Sequence, residues 1–265
     1  MEKTWLPDSI RSAVNGKKYE ENQIGMSGSK VLVFDDMVLK IQKASMETEN
    51  EVRVCSWLKG RLPVPEIIEY CVSAEISYCL MSRISGKMAC DETYLNAPEK
   101  LLEVVTDAIK MLWSLDIADC PCDNTLDVKL EMAKYNVENG LVDMENTEPE
   151  TFGPHGFDSP RSLLCWLEDN RPKEDIVFSH GDFSLPNIFA DGGKVTGFID
   201  LGKTGAADRW QDLAICYRSI AHNFAGKYNG GKAYKGWRPE LLFERLEIEP
   251  EPDKLKYYIL LDELF

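Results

Sequence analysis

The sequence predicts an α+β protein of two lobes, a small antiparallel β first lobe and a larger, mostly helical second lobe. Three observations in its 265 residues carry this reading. Strand-like apolar runs crowd residues 19 to 82, helical apolar stripes dominate from residue 98 onward, and nearly all of the acidic excess falls in the second part. Residues 1–84 make the first lobe and residues 87–265 the second, with a hinge near 82–86 where Ser85 and Gly86 break the strand pattern.

The elements follow from local pattern. VLVF and MVLKI are separated by Asp35 and Asp36, a two-residue polar break that closes a hairpin. Side chains alternate faces along a strand, so Val38 and Lys40 share one side while Leu39 and Ile41 share the other. METENEVRVCSWLKG has helical spacing: Val54, Cys55 and Leu58 form one stripe, Glu51 falls on it, and Gly60 supplies the stop. After the proline-marked loop LPVPE, EIIEYCV and SYCLMS read as two further antiparallel strands. Farther on, Leu101, Val105, Ala108, Leu112 and Leu115 form an inward helical stripe, and Ser159 with Pro160 makes an N-cap and first-turn pair. IVF at 176–178 and VTGFID at 195–200 interrupt the helices as strands, with Asp191, Gly192 and Gly193 as a strand-to-strand turn. There is no internal repeat.

Composition narrows the function classes. No apolar stretch approaches the ~18 residues a bilayer span needs, and the amino terminus lacks the basic start and apolar run of a secretory signal, so the expected compartment is the cytoplasm. The eight cysteines are scattered, several inside apolar runs, and are expected to be buried reduced thiols; Cys120 and Cys122 lack a second ligand pair at zinc-binding spacing. The formal net charge of −15 disfavours nucleic acid as a partner. Residues 1–86 hold 11 basic and 12 acidic residues, whereas residues 87–265 hold 19 and 33, so a cleft in the second part should attract cations. The oligomeric state stays open between monomer and weak dimer.

The most specific chemical signal is HGDFSLPN followed by FIDLG. Asp182 and Asn187 are five residues apart, and Asp200 lies thirteen beyond Asn187. That spacing is a phosphoryl-transfer pattern. A hydroxyl is a weak nucleophile, so Asp182 is expected to orient it and accept its proton, while Asn187 and Asp200 offer hard oxygens suited to Mg²⁺ bridging phosphates. His180 is expected to shape the loop rather than move protons. From the first lobe, Lys40 can reach the α and β phosphates, and Glu51 can fix that lysine, since burying the carboxylate without a cation would be costly. GMSGSK at 25–30 is a short glycine-rich loop in which Ser27 and nearby amides could meet a phosphate oxygen. It matches neither the GxxxxGK[ST] loop nor the GxGxxG fingerprint.

At this point the sequence resembles the aminoglycoside 3'-phosphotransferases, antibiotic-inactivating enzymes of protein-kinase-like fold. The resemblance spans almost the whole chain and rests on GMSGSKV, WLKGRLPVPE, CLMSRISG, VFSHGDFSLPNIF, GFIDLGKTGAADRWQDLA and YYILLDELF. It implies a nucleotide-binding first lobe, a catalytic and substrate-binding second lobe, ATP or GTP with Mg²⁺, and an aminoglycoside phosphorylated at its 3'-hydroxyl. It places the nucleotide base against the hinge backbone from Ser82 to Ile84, with Met81 at the back of the pocket. It also implies that substrate amines are held by carboxylates: that of Phe265 at the terminus, Glu263 beside it, and Glu145 and Glu148 on an acidic loop.

Some positions depart from that pattern. Val38 stands where one branch places an aromatic against adenine, which leaves the choice between ATP and GTP open. Lys203 follows AspLeuGly where arginine is more usual. The glycine-rich stretch 221–240 reads as a flexible connection rather than a lid. A choline-like or amino-alcohol acceptor is the alternative within the same chemistry, and a catalytically dead nucleotide-binding protein is a third reading, opposed by the intact set Lys40, Glu51, Asp182, Asn187 and Asp200. A protein kinase is disfavoured because no arginine separates His180 from Asp182 and no AlaProGlu follows Asp200.

Overall fold

The computed structural model describes residues 6–22 and 29–265, so Ser27 and most of the glycine-rich loop lie outside the described residues. The chain opens with α1 (Asp8–Ala13), β1 (Glu20–Asn22), β2 (Lys30–Val33) and β3 (Met37–Lys43). After α2 (Met46–Leu58) come β4 (Ile67–Ser73) and β5 (Ile76–Ser82). The five strands form one antiparallel sheet in the order β1-β2-β3-β5-β4. Leu32, Phe34, Leu39 and Leu80 pack with Ile10 and Val14, so α1 seals one face of this sheet. Val38 and Lys40 therefore point from the opposite face, as strand alternation requires.

Asp35 and Asp36 close the β2–β3 hairpin, with the Phe34 N–H donating to the Met37 carbonyl at 2.8 Å. The β4–β5 turn was not legible as one: Ala74 and Glu75 both take left-handed backbone, φ +49° and +64°, without glycine. α2 begins with a reciprocal capping box between Ser45 and Thr48 and stops at Gly60, whose φ is +77°. Its Val54, Cys55 and Leu58 belong to the large core of the second lobe, not to the cluster under the sheet. One helix of the first lobe is thus welded to the second by burial, at roughly 1.5–3 kcal/mol for each large side chain.

The second part contains β6 (Lys87–Met88), α3 (Glu92–Leu95), α4 (Pro98–Trp113), α5 (Leu126–Glu138) and α6 (Pro160–Asp169). Then follow β7 (Ile176–Ser179), β8 (Ile188–Asp191), β9 (Lys194–Phe198), β10 (Gly205–Asp208), α7 (Arg209–Ala225), α8 (Glu240–Leu246) and α9 (Pro252–Asp262). Leu101, Val105, Ala108 and Leu112 are buried along α4, but Leu115 lies past its end and is half-buried, which corrects the predicted stripe. Ser159 caps α6 in a capping box with Ser162, and Pro160 takes the first helical position, where its missing N–H costs nothing. β8 and β9 form the expected hairpin, turning at Gly192 and Gly193 with φ +58° and +91°. β7 does not join it; it pairs with β10, and β6 pairs with β8.

Two further expectations need correction. Cys165 is exposed, while Cys55, Cys79, Cys122 and Cys216 are buried and all eight thiols are free. The stretch 221–240 is not one connection: residues 221–225 complete α7, and the remainder is tied back by the Tyr234 N–H to the Phe224 carbonyl, with Trp237 against Phe224 and Tyr217. Among the described residues no helix is long and apolar enough to cross a membrane.

Candidate active site

The β8–β9 hairpin brings the predicted metal-site residues together. Ile188 pairs with Phe198, and the Ile199 N–H donates to the Asn187 carbonyl at 3.0 Å, so Asn187 and Asp200 leave the same end of the hairpin. Asn187 reaches back to the loop before it: its Nδ2 donates to the Asp182 carbonyl and to Asp182 Oδ2, each at 3.0 Å. A side-chain amide has one oxygen and two N–H donors, so this use of Nδ2 leaves Asn187 Oδ1 as an acceptor.

Asp200 sits in left-handed backbone, φ +62°. Its Oδ1 lies 2.6 Å from Lys40 Nζ, which also lies 3.2 Å from Glu51 Oε2. The Leu201 N–H donates to the other Glu51 oxygen at 3.3 Å. Glu51 is therefore buried but satisfied, by a cation from β3 and an amide from the Asp200 loop. Burial raises its pKa against the pull of Lys40. Burial likewise opposes the charge on Lys40, yet Glu51 and Asp200 outweigh it and hold the ammonium protonated. The Asp200 side chain is 49% exposed; partial desolvation works against its ionisation, and the contact with Lys40 wins and lowers its pKa.

The turn carrying Asp182 is over-determined. Gly181 has φ +82°, and a Cβ there would meet the Lys203 carbonyl at 1.8 Å, so only glycine fits. Buried Asp212, from α7, accepts from the His180 N–H at 2.8 Å, from the Gly181 N–H at 2.9 Å and from Ser179 Oγ at 2.9 Å. Burial raises its pKa while these donors and His180 pull it down. The fully buried His180 ring places Nε2 3.0 Å from the Ile199 carbonyl, and the Thr204 hydroxyl donates to the His180 carbonyl at 2.9 Å. His180 is loop architecture, as expected. Asp212 was missed, because nothing in its local sequence separates it from an ordinary helical aspartate. Asn50 was missed too: beside Glu51 on α2, it donates to the Gly202 and Thr204 carbonyls at 2.8 and 3.1 Å, fastening α2 to the Asp200 loop.

At the hinge, Val38 pairs in register with buried Met81. The Ser82 N–H donates to Glu66 and the Arg83 N–H to Asp36, whereas the Ile84 N–H has no partner among the described residues. Gly197 on β9 makes room for Ile84, whose Cγ2 would lie 2.6 Å from a Cβ.

Two of the predicted carboxylates, Glu148 and Glu263, gather beside α7. Glu263 is buried and already engaged, Oε1 with Arg218 at 3.1 Å and Oε2 with the Glu148 N–H at 2.7 Å. Glu148 is paired with Lys227 and His222, and Glu145 is exposed. The Phe265 ring lies 4.8 Å from Lys129 Nζ and 6.0 Å from Lys203 Nζ. Lys203 is half-buried; desolvation opposes its charge, but Asp262, Glu47, Asp182 and Asp200 together raise its pKa. A separate cavity of about 890 Å³ between α6 and α9, bordered by Trp166, Glu174, Lys254 and Tyr257, contains none of these residues.

The arrangement can hold a nucleotide's phosphates opposite a carboxylate base, with two hard oxygens for a cation between them. Comparisons with known proteins agree. The phosphotransferase enzyme family matches residues 18–242. An aminoglycoside 3'-phosphotransferase of Enterococcus faecalis is 37% identical over 100% of both chains, and one of Niallia circulans is 33% identical over 98% of this chain and 97% of its own. The crystal structure of a type VIII aminoglycoside-3'-phosphotransferase superposes with TM-score 0.78 at 27% identity, over 97% of each chain. An α+β fold of protein-kinase type, the family match over residues 18–242 and full-length similarity lead to one conclusion: this chain belongs to the phosphotransferase enzyme family, and within it to the aminoglycoside 3'-phosphotransferases.

Proposed function

We propose that this enzyme transfers the γ-phosphoryl group of ATP or GTP to the 3'-hydroxyl of an aminoglycoside in the cytoplasm, inactivating it. The observation that carries the reading is the joined set Asp182–Asn187 and Glu51–Lys40–Asp200, in which Lys40 and Glu51 come from the first lobe and Asp182, Asn187 and Asp200 from the second. Residues 1–84 form the nucleotide-binding lobe and residues 87–265 the catalytic and substrate-binding lobe.

Val38, Met81, Ser82 and Ile84 border the base, with the Ile84 N–H as the donor left to it, and Ser27 joins from the glycine-rich loop. Lys40, fixed by Glu51, meets the α and β phosphates. Asn187 Oδ1 and Asp200, hard oxygens beside a cationic lysine, would hold Mg²⁺, which would supply charge neutralisation at the transferred group. Asp182 aims the acceptor hydroxyl and takes its proton as the new P–O bond forms and the bond from the γ-phosphorus to the β–γ bridging oxygen breaks, the nucleoside diphosphate leaving with that oxygen. Asn187 keeps the Asp182 carboxylate pointed at the acceptor. The ammonium groups of the substrate meet the acidic side of the second lobe, namely the carboxylate of Phe265 and those of Glu145, Glu148 and Glu263. Glu263 reaches substrate only by exchanging its present partners. Charge-assisted hydrogen bonds of this kind contribute about 1.5–3 kcal/mol each.

A coupled assay of nucleoside diphosphate release tests the reading, with ATP and with GTP, across kanamycin, neomycin, choline and amino alcohols. Phosphorylated kanamycin or neomycin, with the phosphate located on the 3'-oxygen by NMR, is the expected result. Turnover of choline or an amino alcohol in preference to both antibiotics would replace this reading with the metabolite one.

A further inference from the structure

Glu148 is held by groups that belong to neither the nucleotide site nor the base. Its Oε1 lies 3.0 Å from Lys227 Nζ and 3.2 Å from His222 Nε2. Its main-chain N–H donates to Glu263, which Arg218 holds in turn. His222 Nδ1 lies 3.0 Å from the Tyr228 hydroxyl. A single neutral tautomer satisfies both ring contacts, Nε2–H donating to Glu148 and Nδ1 accepting from Tyr228. Burial lowers the imidazole pKa despite the pull of Glu148, in keeping with that neutral form. The full positive charge in contact with the Glu148 carboxylate is therefore that of Lys227.

The position of Lys227 is built by the backbone. α7 ends at Gly226, where φ is +85° and a Cβ would come within 2.8 Å of Gly231. The Lys227 N–H then returns to the His222 carbonyl at 2.9 Å, which delivers the lysine side chain to the acidic segment. The same helix meets the catalytic loop, since the Leu185 N–H donates to Ser219 Oγ at 3.0 Å. Lys227 remains 41% exposed at its side chain, so its ammonium can leave toward solvent without a burial cost.

We propose that Lys227 is a specificity-determining residue: its ammonium fills from within the chain the position at Glu148 that an ammonium group of the substrate would take, so an acceptor must displace it to be held there. The glycine-rich segment after α7 thereby acquires a role, as the mount of an internal competitor. Acceptors with several ammonium groups compete well because neighbouring carboxylates retain them during the exchange, and monocationic acceptors do not. This rests on the reading of Glu148 as a substrate carboxylate.

The test compares the full-length enzyme with Lys227→Met, Lys227→Arg, Glu148→Gln and the Lys227→Met/Glu148→Gln double variant, using kanamycin as probe. An exposed ion pair of this type corresponds to about a two- to fivefold change in affinity. Lys227→Met is expected to lower the KM for kanamycin by that factor with the KM for nucleotide unchanged. Lys227→Arg should restore the wild-type value, and Lys227→Met should have no effect in the Glu148→Gln background. An unchanged or raised kanamycin KM in Lys227→Met overturns the proposal, as does an equal effect with and without Glu148. Hydrogen exchange of residues 141–151 without any substrate supplies a second readout: Lys227→Met must speed exchange there, and unchanged protection counts as refutation. Absence of aminoglycoside turnover in the wild type would sink the proposed function instead, and the exchange measurement would still decide whether Lys227 restrains the segment.

Discussion

Asn187 donates twice to Asp182, at 3.0 Å to its carbonyl and at 3.0 Å to its carboxylate, so a proposed metal ligand fixes the direction of the proposed base. Proton acceptance and cation binding are coupled through one amide. Asp182→Asn preserves shape but removes the acceptor, and kcat should fall by about 10²–10⁴-fold. Nucleotide affinity, measured by calorimetry, should be unchanged. Retention of wild-type turnover would remove Asp182 from the base role.

Lys40 joins Glu51 to Asp200 across the two lobes. Lys40→Met removes a charge-assisted phosphate contact, and a loss of about 1.5–3 kcal/mol corresponds to a roughly 10- to 100-fold weaker nucleotide affinity. Buried Glu51 then lacks its cation, and its already raised pKa should climb further. Calorimetric titration with ATP in Mg²⁺ checks the affinity, and unaltered binding would contradict the assignment.

Asp212 touches no proposed substrate atom, yet its removal should be severe. Asp212→Ala strands two buried donors, the His180 N–H and the Ser179 hydroxyl, while the Gly181 N–H keeps Ser179 Oγ at 3.1 Å. With about 1–3 kcal/mol for each buried donor left unpaired, a loss of roughly 2–6 kcal/mol is expected. Urea unfolding measures it, and activity should fall at temperatures where the variant is still folded. A stable, active variant would mean that the loop holds without this anchor.

Lys129 is buried and has no ion-pair partner among the described residues; burial, then the neighbouring Lys203, lowers its pKa from 10.5 to about 8. Between those values the unfolded chain binds the proton and the native chain does not, so this group makes stability rise with pH across that window. Below pH 8 both states are protonated and burial costs about 3 kcal/mol, of which the Phe265 ring returns about 0.5–1. Lys129→Met is therefore expected to stabilise the protein by about 2 kcal/mol at pH 7, with the gain shrinking toward pH 10. Thermal melts of both proteins at pH 7 and pH 9.5 check it. A variant less stable than wild type at pH 7 would show that the ammonium is compensated.

Local chemistry was the legible part. The helix stopped by Gly60, the hairpin closed by Gly192 and Gly193, and the capped start of α6 each depend on residues a few positions apart, whose preferences act before any tertiary contact forms. β10 escaped notice because GAAD has neither branched side chains nor alternation and becomes a strand only against β7. Leu115 misled for the converse reason: its spacing fits the α4 stripe, but the helix ends two residues before it.

The sequence by itself determined that Asp182, Asn187 and Asp200 come together, because they lie on one short loop–hairpin unit whose spacing is nearly its geometry. It also determined that Glu51 must face Lys40, since a carboxylate on a buried stripe needs a cation. Tertiary structure alone decided that Asp212 and Asn50 anchor the loops of the site, that Glu263 is spent on Arg218, and that Lys227 lies on Glu148. These contacts join residues about 30 to 150 positions apart. No local periodicity encodes them; they arise only when burial packs α2, α7 and the carboxy-terminal helix around one loop and every buried polar group must find a partner there.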